Sequence, residues 1–308
     1  MAVSGTGMFV PGPHRRMTSP AVIRALLRDA GLRPRRGFGQ NFLVDANVLR
    51  ITTEAAGLEP YDTVIEVGAG LGALTQALAE QSGKVYAIET DARLAAIVER
   101  ELSYLGNLTV INADAMDFDL PSLWEAGPPD DVKMVSNLPY QIAATLLVDW
   151  LRDYPWLTSY TVMIQREVAD RITASPGGKD YSGATVKVQY RAHARKVASV
   201  SRNSFYPRPQ VDSSIVQLTM RDEEDQSVPR AYDEALFDRL VTAAFGQRRK
   251  KLANSVAAGL PEMSAGAVVD ALGTLGKHAA VRAEELSPGD FARLANALAE
   301  STHGAMSD

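Results

Sequence analysis

A β-branched run, Thr63–Val67, ends in Glu66-Val67-Gly68-Ala69-Gly70-Leu71-Gly72 and passes straight into a segment of helical periodicity, Gly72–Gln81. Glycines at such a junction permit a sharp turn and let backbone N–H groups and a helix N-terminus approach a ligand closely. A second strand-like run, Lys84–Glu89, follows at once. A strand–helix–strand unit of this length requires a parallel strand pair. Glu89 stands at the tip of the second strand, about 20 residues past Gly68, the spacing at which a carboxylate accepts from ribose hydroxyls. Gly68, Gly70 and Ala73 also satisfy G-x-G-x-x-G/A, so the loop by itself admits either a nicotinamide cofactor or S-adenosylmethionine.

The same alternation continues. The periodicity predicts helices over 91–105, 142–154 and 166–174, and strands over 108–112, 132–137 and 159–164. Ahead of the loop, 20–31 and 45–56 read as helices, separated by the glycine- and aromatic-rich Gly37-Phe38-Gly39-Gln40-Asn41-Phe42-Leu43. Repeated units of this kind predict a doubly wound α/β sheet with helices on both faces. After about residue 195 the pattern changes. Lys196–Ser201 and Ser214–Met220 predict an antiparallel pair closing the sheet edge, and acidic Arg221–Arg230 reads as a linker. Beyond it, 232–246, 248–258, 264–275 and 288–300 all read as helices. The expected organisation is a leader over 1–19, flexible and without the apolar core of a secretory signal, a catalytic domain over 20–221 and a small all-helical domain over 222–308.

For 308 residues, about two domains is the ordinary expectation. No apolar run reaches the roughly 18 residues that a membrane helix needs, which points to a soluble, cytoplasmic protein. There is no cysteine, so a disulfide scaffold, a thiolate metal site and a cysteine nucleophile are excluded. His14, His193, His278 and His303 are scattered without metal-ligand spacing, and no metal is expected. The net charge of −5 hides an uneven distribution: half of the 32 basic residues lie within 15–36, 191–208 and 245–258, which together hold a single acid, Asp29. Three such stretches fit a groove for a polyanion, where phosphate contacts supply most sequence-independent affinity.

Asn137-Leu138-Pro139-Tyr140 ends the expected fourth strand, at the carboxyl edge where such sheets bind ligands. An exocyclic adenine amine is a poor nucleophile because its lone pair is delocalised into the ring. Hydrogen bonds from its N–H groups to the Asn137 side-chain oxygen and a neighbouring backbone carbonyl localise that pair, and Tyr140 offers a face on which an extruded base can stack. Asp114, after the third expected strand, can meet an adenine amino group or cap a helix.

On Gly39–Leu43, Glu66–Gly72, Asn137–Tyr140, Gln165–Arg171, Phe205–Ser213 and Phe245–Asn254, the chain resembles the ribosomal RNA adenine dimethyltransferase family, specifically its bacterial small-subunit (16S) branch. The resemblance implies a Rossmann-like S-adenosylmethionine-dependent methyltransferase sheet with a C-terminal helical domain. It implies cofactor contacts from Asn41, Leu43, Gly68, Gly70, Glu89, Asp114 and Asn137. It further implies that Asn137, Leu138, Pro139 and Tyr140 form the catalytic set, that Tyr140 and Phe205 sandwich the target base, and that the block with Arg248, Arg249, Lys250 and Lys251 contacts RNA or docks the helical domain. Arg202 and Arg208, from the basic stretch 191–208, are the other expected RNA contacts. Gly68-Ala69-Gly70 replaces the G-P-G common in the family. The implied substrate is 16S rRNA in the immature 30S particle, where two adjacent adenosines of a 3′-terminal hairpin become N6,N6-dimethyladenosine; a monomer is expected. The rivals are a large-subunit dimethylase conferring macrolide resistance, a non-catalytic RNA-binding assembly or transcription factor, and a nicotinamide oxidoreductase.

Overall fold

The structure, a computed structural model, describes residues 16–34, 40–222, 225–247 and 249–304. Residues 1–15 of the expected leader, Gly37–Gly39, and the basic residues Arg15, Arg35, Arg36 and Arg248 lie outside them. In chain order the elements are α1 (Pro20–Asp29), β1 (Phe42–Leu43), α2 (Ala46–Ala56), β2 (Thr63–Val67), α3 (Ala73–Ala79), β3 (Lys84–Glu89), α4 (Ala92–Glu101), β4 (Leu108–Asn112), β5 (Val132–Asn137), α5 (Ala143–Asp153), β6 (Leu157–Gln165), α6 (Arg166–Ile172), α7 (Gly183–Arg191), β7 (Ala192–Val200), β8 (Phe205–Tyr206), β9 (Ser213–Met220), α8 (Glu234–Phe245), α9 (Leu252–Gly259), α10 (Ala265–Thr274) and α11 (Pro288–Gly304).

The main sheet has seven strands in the order β4-β3-β2-β5-β6-β9-β7, with β9 antiparallel to both β6 and β7 and the others parallel. Successive residues face opposite sides of a strand. Val64 therefore joins the core beneath α1, α3 and α4, while Ile65 joins the core around α5. Burial on both faces explains why these strands read as continuous apolar runs. The chain reverses its direction of travel across the sheet between β2 and β5, and open α/β sheets form their ligand crevice at such a point. There the strands separate: their pairing ends at Ile65 and Met134, and the next free donor, the Val67 N–H, goes to the Ser136 hydroxyl at 2.9 Å.

A two-stranded ribbon stands apart. Phe42 pairs with Tyr206 and Leu43 with Phe205, antiparallel. It is extended by the Val44 N–H donating to the Ser204 carbonyl at 2.9 Å and by the Ser204 hydroxyl donating to Asp45 Oδ2 at 2.8 Å. Asp45 uses its other oxygen to cap α2 through the Asn47 and Val48 N–H groups. At the end of the expected leader, Met17 is buried against the α1–α3 core and donates its N–H to Gln76.

The structure departs from the expected elements at several places. Residues 183–191 form α7, a helix the periodicity does not reveal; the Ser182 and Thr185 side chains close a capping box at its start. Tyr181, Val186 and Tyr190 pack into one core with α8–α11, so the C-terminal helices rest on residues well before 222. Helix α9 begins at Leu252, not at 248, because the Leu252 N–H is drawn to the Val281 carbonyl and residues 249–251 form the preceding turn. Finally, Arg191 does not face a polyanion groove. It is 5% exposed and bonds Glu234 Oε2 at 2.9 Å and Asp238 Oδ2 at 3.0 Å, tying α7 to α8.

Candidate active site

At the crevice a cavity of about 360 Å³ is lined by the Glu66–Leu71 segment, Glu89–Leu94, Ala113–Ala115, Gln40–Leu43, Asn137 and Pro139. The sheet order alone brings these together, since each lies at the carboxyl end of a parallel strand or, for 40–43, on the ribbon beside them. Asn41, Leu43, Gly68, Gly70, Glu89, Asp114 and Asn137 all line it.

The glycines are required by geometry. Gly68, Gly70 and Gly72 have φ of 81°, 60° and 84°, which disfavour any side chain. A Cβ at Gly68 would stand 3.2 Å from Pro139 Cδ, and one at Gly70 would stand 3.3 Å from Phe42. The loop is thus packed directly against the Asn137–Tyr140 turn and the ribbon.

Two carboxylates sit behind the loop. Glu89 Oε2 accepts the Gly70 N–H at 2.8 Å and Oε1 accepts the Asp91 N–H at 3.0 Å. Burial raises its pKa, against the lowering effect of those two bonds. Glu66 occupies the middle of a strand buried at every position, and its Oε2 has no hydrogen-bond partner. Burial pushes its carboxyl up to about 8, against the lowering effect of the Thr75 hydroxyl and with the nearby Glu89 charge adding to the rise. A buried acid that lines a cavity with one oxygen unpartnered suits a ligand that brings a cationic donor. Sequence reasoning had Glu66 only as part of the loop; the available signal was one acid inside an otherwise apolar strand. Gln40 reaches Asp91 across the same pocket at 3.4 Å, another contact the sequence did not reveal. Asp114 is exposed, and its Oδ1 accepts the Met116 N–H at 3.0 Å, so it closes its own turn while lining the pocket.

Asn137 Nδ2 donates to the Asn41 carbonyl at 3.3 Å, which leaves Oδ1 as the acceptor of that side chain. The Leu138 side chain is core, 1% exposed, and its N–H is held by the Met163 carbonyl, so only its backbone carbonyl is suited to a ligand. The Pro139 carbonyl receives the Ile142 and Ala143 N–H groups, starting α5. Tyr140 is half-buried, with its hydroxyl 2.8 Å from Ser213 Oγ. Phe205 is 4% exposed, packed with Leu43, Val48, Met163, Val200 and Ile215, whereas neighbouring Tyr206 is exposed. The structure therefore places Phe205 in the core behind Leu43, which lines the pocket, and presents no open ring face from it.

Arg202, Arg208, Arg249, Lys250 and Lys251 are exposed. The first two lie on the segment around β8, and the other three lie between α8 and α9. Among the described residues no group of His, Cys, Asp or Glu could hold a metal, and no helix is long and apolar enough to cross a membrane.

Residues 31–300 match the family model described as ribosomal RNA adenine dimethylase. Among similar proteins, the ribosomal RNA small subunit methyltransferase A of Shouchella clausii is 38% identical over 288 residues, covering 92% of this chain and 96% of that protein. Its namesake from Moorella thermoacetica is 40% identical over 288 residues, covering 92% and 98%. Among solved structures, a dimethyladenosine transferase from Plasmodium falciparum superposes with a TM-score of 0.68 at 27% identity, covering 82% of this chain and 95% of that one. The 23S rRNA methyltransferase ErmE superposes with a TM-score of 0.61 at 29% identity, covering 84% and 100%. With a doubly wound sheet, a glycine loop and an Asn-Leu-Pro-Tyr turn at its crevice, and a family match over most of its length, the chain belongs to the ribosomal RNA adenine dimethylase family.

Proposed function

We propose that this protein methylates the N6 atoms of two adjacent adenosines in a 3′-terminal hairpin of 16S rRNA, working as a cytoplasmic monomer on the immature 30S particle. The observation that carries this reading is the contact of the glycine loop with Pro139, which sets the Asn137–Tyr140 turn against the cofactor pocket. The small-subunit methyltransferases at 38–40% identity favour the 30S particle over the large-subunit substrate.

S-adenosylmethionine supplies an electrophilic methyl group on a sulfonium. Glu89 suits its ribose, and Glu66 suits its amino group. The target adenine stacks on Tyr140 after leaving its helix. Its two N–H bonds point to Asn137 Oδ1 and the Leu138 carbonyl, so the nitrogen lone pair faces the pocket. No strong base is needed during transfer, because the alkylated ammonium loses its proton to water readily. After one round, the remaining N–H still has an acceptor in Asn137, which permits the second. The helices after residue 222, with Arg249, Lys250 and Lys251 at their exposed turn, dock the RNA.

Methyl transfer from labelled S-adenosylmethionine to undermethylated 30S particles, compared with 50S particles, tests the assignment. Label in adenine of the 30S particle is expected. Label confined to 50S particles would give the assignment to the large-subunit rival.

A further inference from the structure

A stacking platform uses only the face of a ring, and phenylalanine would provide one. Tyr140 carries a hydroxyl as well, and in a partly buried site that hydroxyl needs a partner. It has one in Ser213 Oγ, 2.8 Å away and 73 residues distant in the chain. Ser213 is fully buried and begins β9, where its backbone pairs with Gln165 of β6 and Val200 of β7. A hydroxyl mounted on a strand paired on both sides has a well-fixed position.

The residue beside it strengthens that mounting. The Asp212 carbonyl accepts the Arg166 N–H at 3.0 Å, and its carboxylate accepts the Arg202 N–H at 3.1 Å and pairs with the Arg166 guanidinium at 3.4 Å. The Tyr140 backbone is held from the other end, because the preceding Pro139 packs on Gly68. What Pro139 cannot fix is rotation of the Tyr140 side chain about its own bonds. The Ser213 contact fixes where the far end of the ring sits, and with it the swing about Cα–Cβ, while the turn of the ring about its own long axis, on which the hydroxyl oxygen lies, is not set by this bond.

We infer that Ser213 is a positioning residue for methyl transfer: through the Tyr140 hydroxyl it fixes the direction in which the ring that carries the target adenine extends, and so where that ring lies. This rests on the reading of Tyr140 as the base platform. Orientation errors of about 1 Å can cost about 100-fold in rate, so a loosened ring should show in turnover before it shows in binding.

The test is a double-mutant cycle in the full-length protein with undermethylated 30S particles: Ser213→Ala, Tyr140→Phe and both together, with Tyr140→Ala as control. Each single change removes the same bond from opposite ends, so kcat should fall by a similar factor, about 10- to 100-fold. KM for the particle and S-adenosylmethionine affinity should stay near the parent values. The double variant should be no slower than the slower single, as expected for two groups acting as one unit, and Ser213→Thr should restore much of the lost turnover. Effects that multiply, or parental kcat in either single variant, would overturn the inference. Should Ser213→Ala fail to fold, parental kcat in Tyr140→Phe overturns it alone. Full activity in Tyr140→Ala would instead overturn the platform reading itself.

Discussion

The Gly70 N–H donates to Glu89 Oε2 at 2.8 Å, so the glycine loop is tied to the tip of the second parallel strand where both line the pocket. Each carboxylate oxygen keeps a second lone pair after its bond to Gly70 or Asp91. Glu89→Ala should therefore weaken S-adenosylmethionine binding by about 1–3 kcal/mol, the scale of lost hydrogen bonds to a charged group. Calorimetry measures this, and NAD should give no binding heat. Binding of NAD without S-adenosylmethionine binding would reverse the cofactor assignment.

Glu66 makes stability depend on pH. Its carboxyl titrates near 8 in the folded protein against an ordinary 4.5. Between those values the folded state holds a proton that the unfolded chain has lost, so stability falls as pH rises. The contribution is fully present below about 4.5 and fully lost above about 8. Urea unfolding of the ligand-free protein should show this slope, and Glu66→Gln should flatten it. An unchanged slope in the variant would assign it to other groups.

Arg191 joins α7 to α8 with its guanidinium between Glu234 and Asp238 and beside the stacked rings of Tyr190 and Phe237. The guanidinium is buried and Asp238 mostly so, whereas Glu234 is half-exposed, so removing Arg191 chiefly strands Asp238. Arg191→Ala should cost about 3 kcal/mol in chemical denaturation. A loss within roughly 0.5 kcal/mol, the ordinary size for surface changes, would mean that solvent replaces these bonds freely.

Neutralising Arg249, Lys250 and Lys251 together with Arg248 should lower affinity for 16S rRNA and flatten its dependence on salt, while leaving S-adenosylmethionine affinity unchanged. Filter binding across a salt series measures both slope and intercept. A slope equal to the parent's would make the turn an ordinary solvated surface.

Phe205→Ala should lower stability by about 3–5 kcal/mol, because a ring 4% exposed leaves a core cavity. Its product should shift toward N6-monomethyladenosine. Asn137→Ala should depress both transfers severely and also loosen the segment held through the Asn41 carbonyl. Nucleoside analysis of reacted rRNA separates these outcomes. Only monomethyladenosine from the parent protein at long times would be falsifying for the dimethylase assignment.

The sheet was legible because β2, β3 and β5 are largely buried apolar runs bounded by glycine, Asp or Asn, the trace an interior parallel strand leaves, and because the half-buried edge strand β4 keeps a β-branched and apolar run. Helix α7 was not, since Gly183, Thr185, Val186 and Val188 are poor helix formers and its stability comes from packing on α8 and α11. Gly68, Gly70, Glu89, Asp114 and Asn137 could be named because each lies at or just past the end of a strand, whereas Asn41 and Leu43 were named through the family resemblance. Partners set by long-range geometry, such as Ser213 for Tyr140, Ser136 for Val67 and Asn41 for Asn137, leave no periodic signal. Nor could the sequence distinguish the buried Arg191 from its exposed basic neighbours.

The ribbon of Phe42–Leu43 with Phe205–Tyr206, latched by Asp45 and Ser204, joins stretches 159 residues apart in the chain. One edge borders the methyl donor's chamber, and the other continues into the stretch that ends at the tyrosine's anchor. Under the proposed function, donor and acceptor are therefore gauged from a common piece of backbone, and an insertion on either side of it would change the reach between them as well as the grip on one.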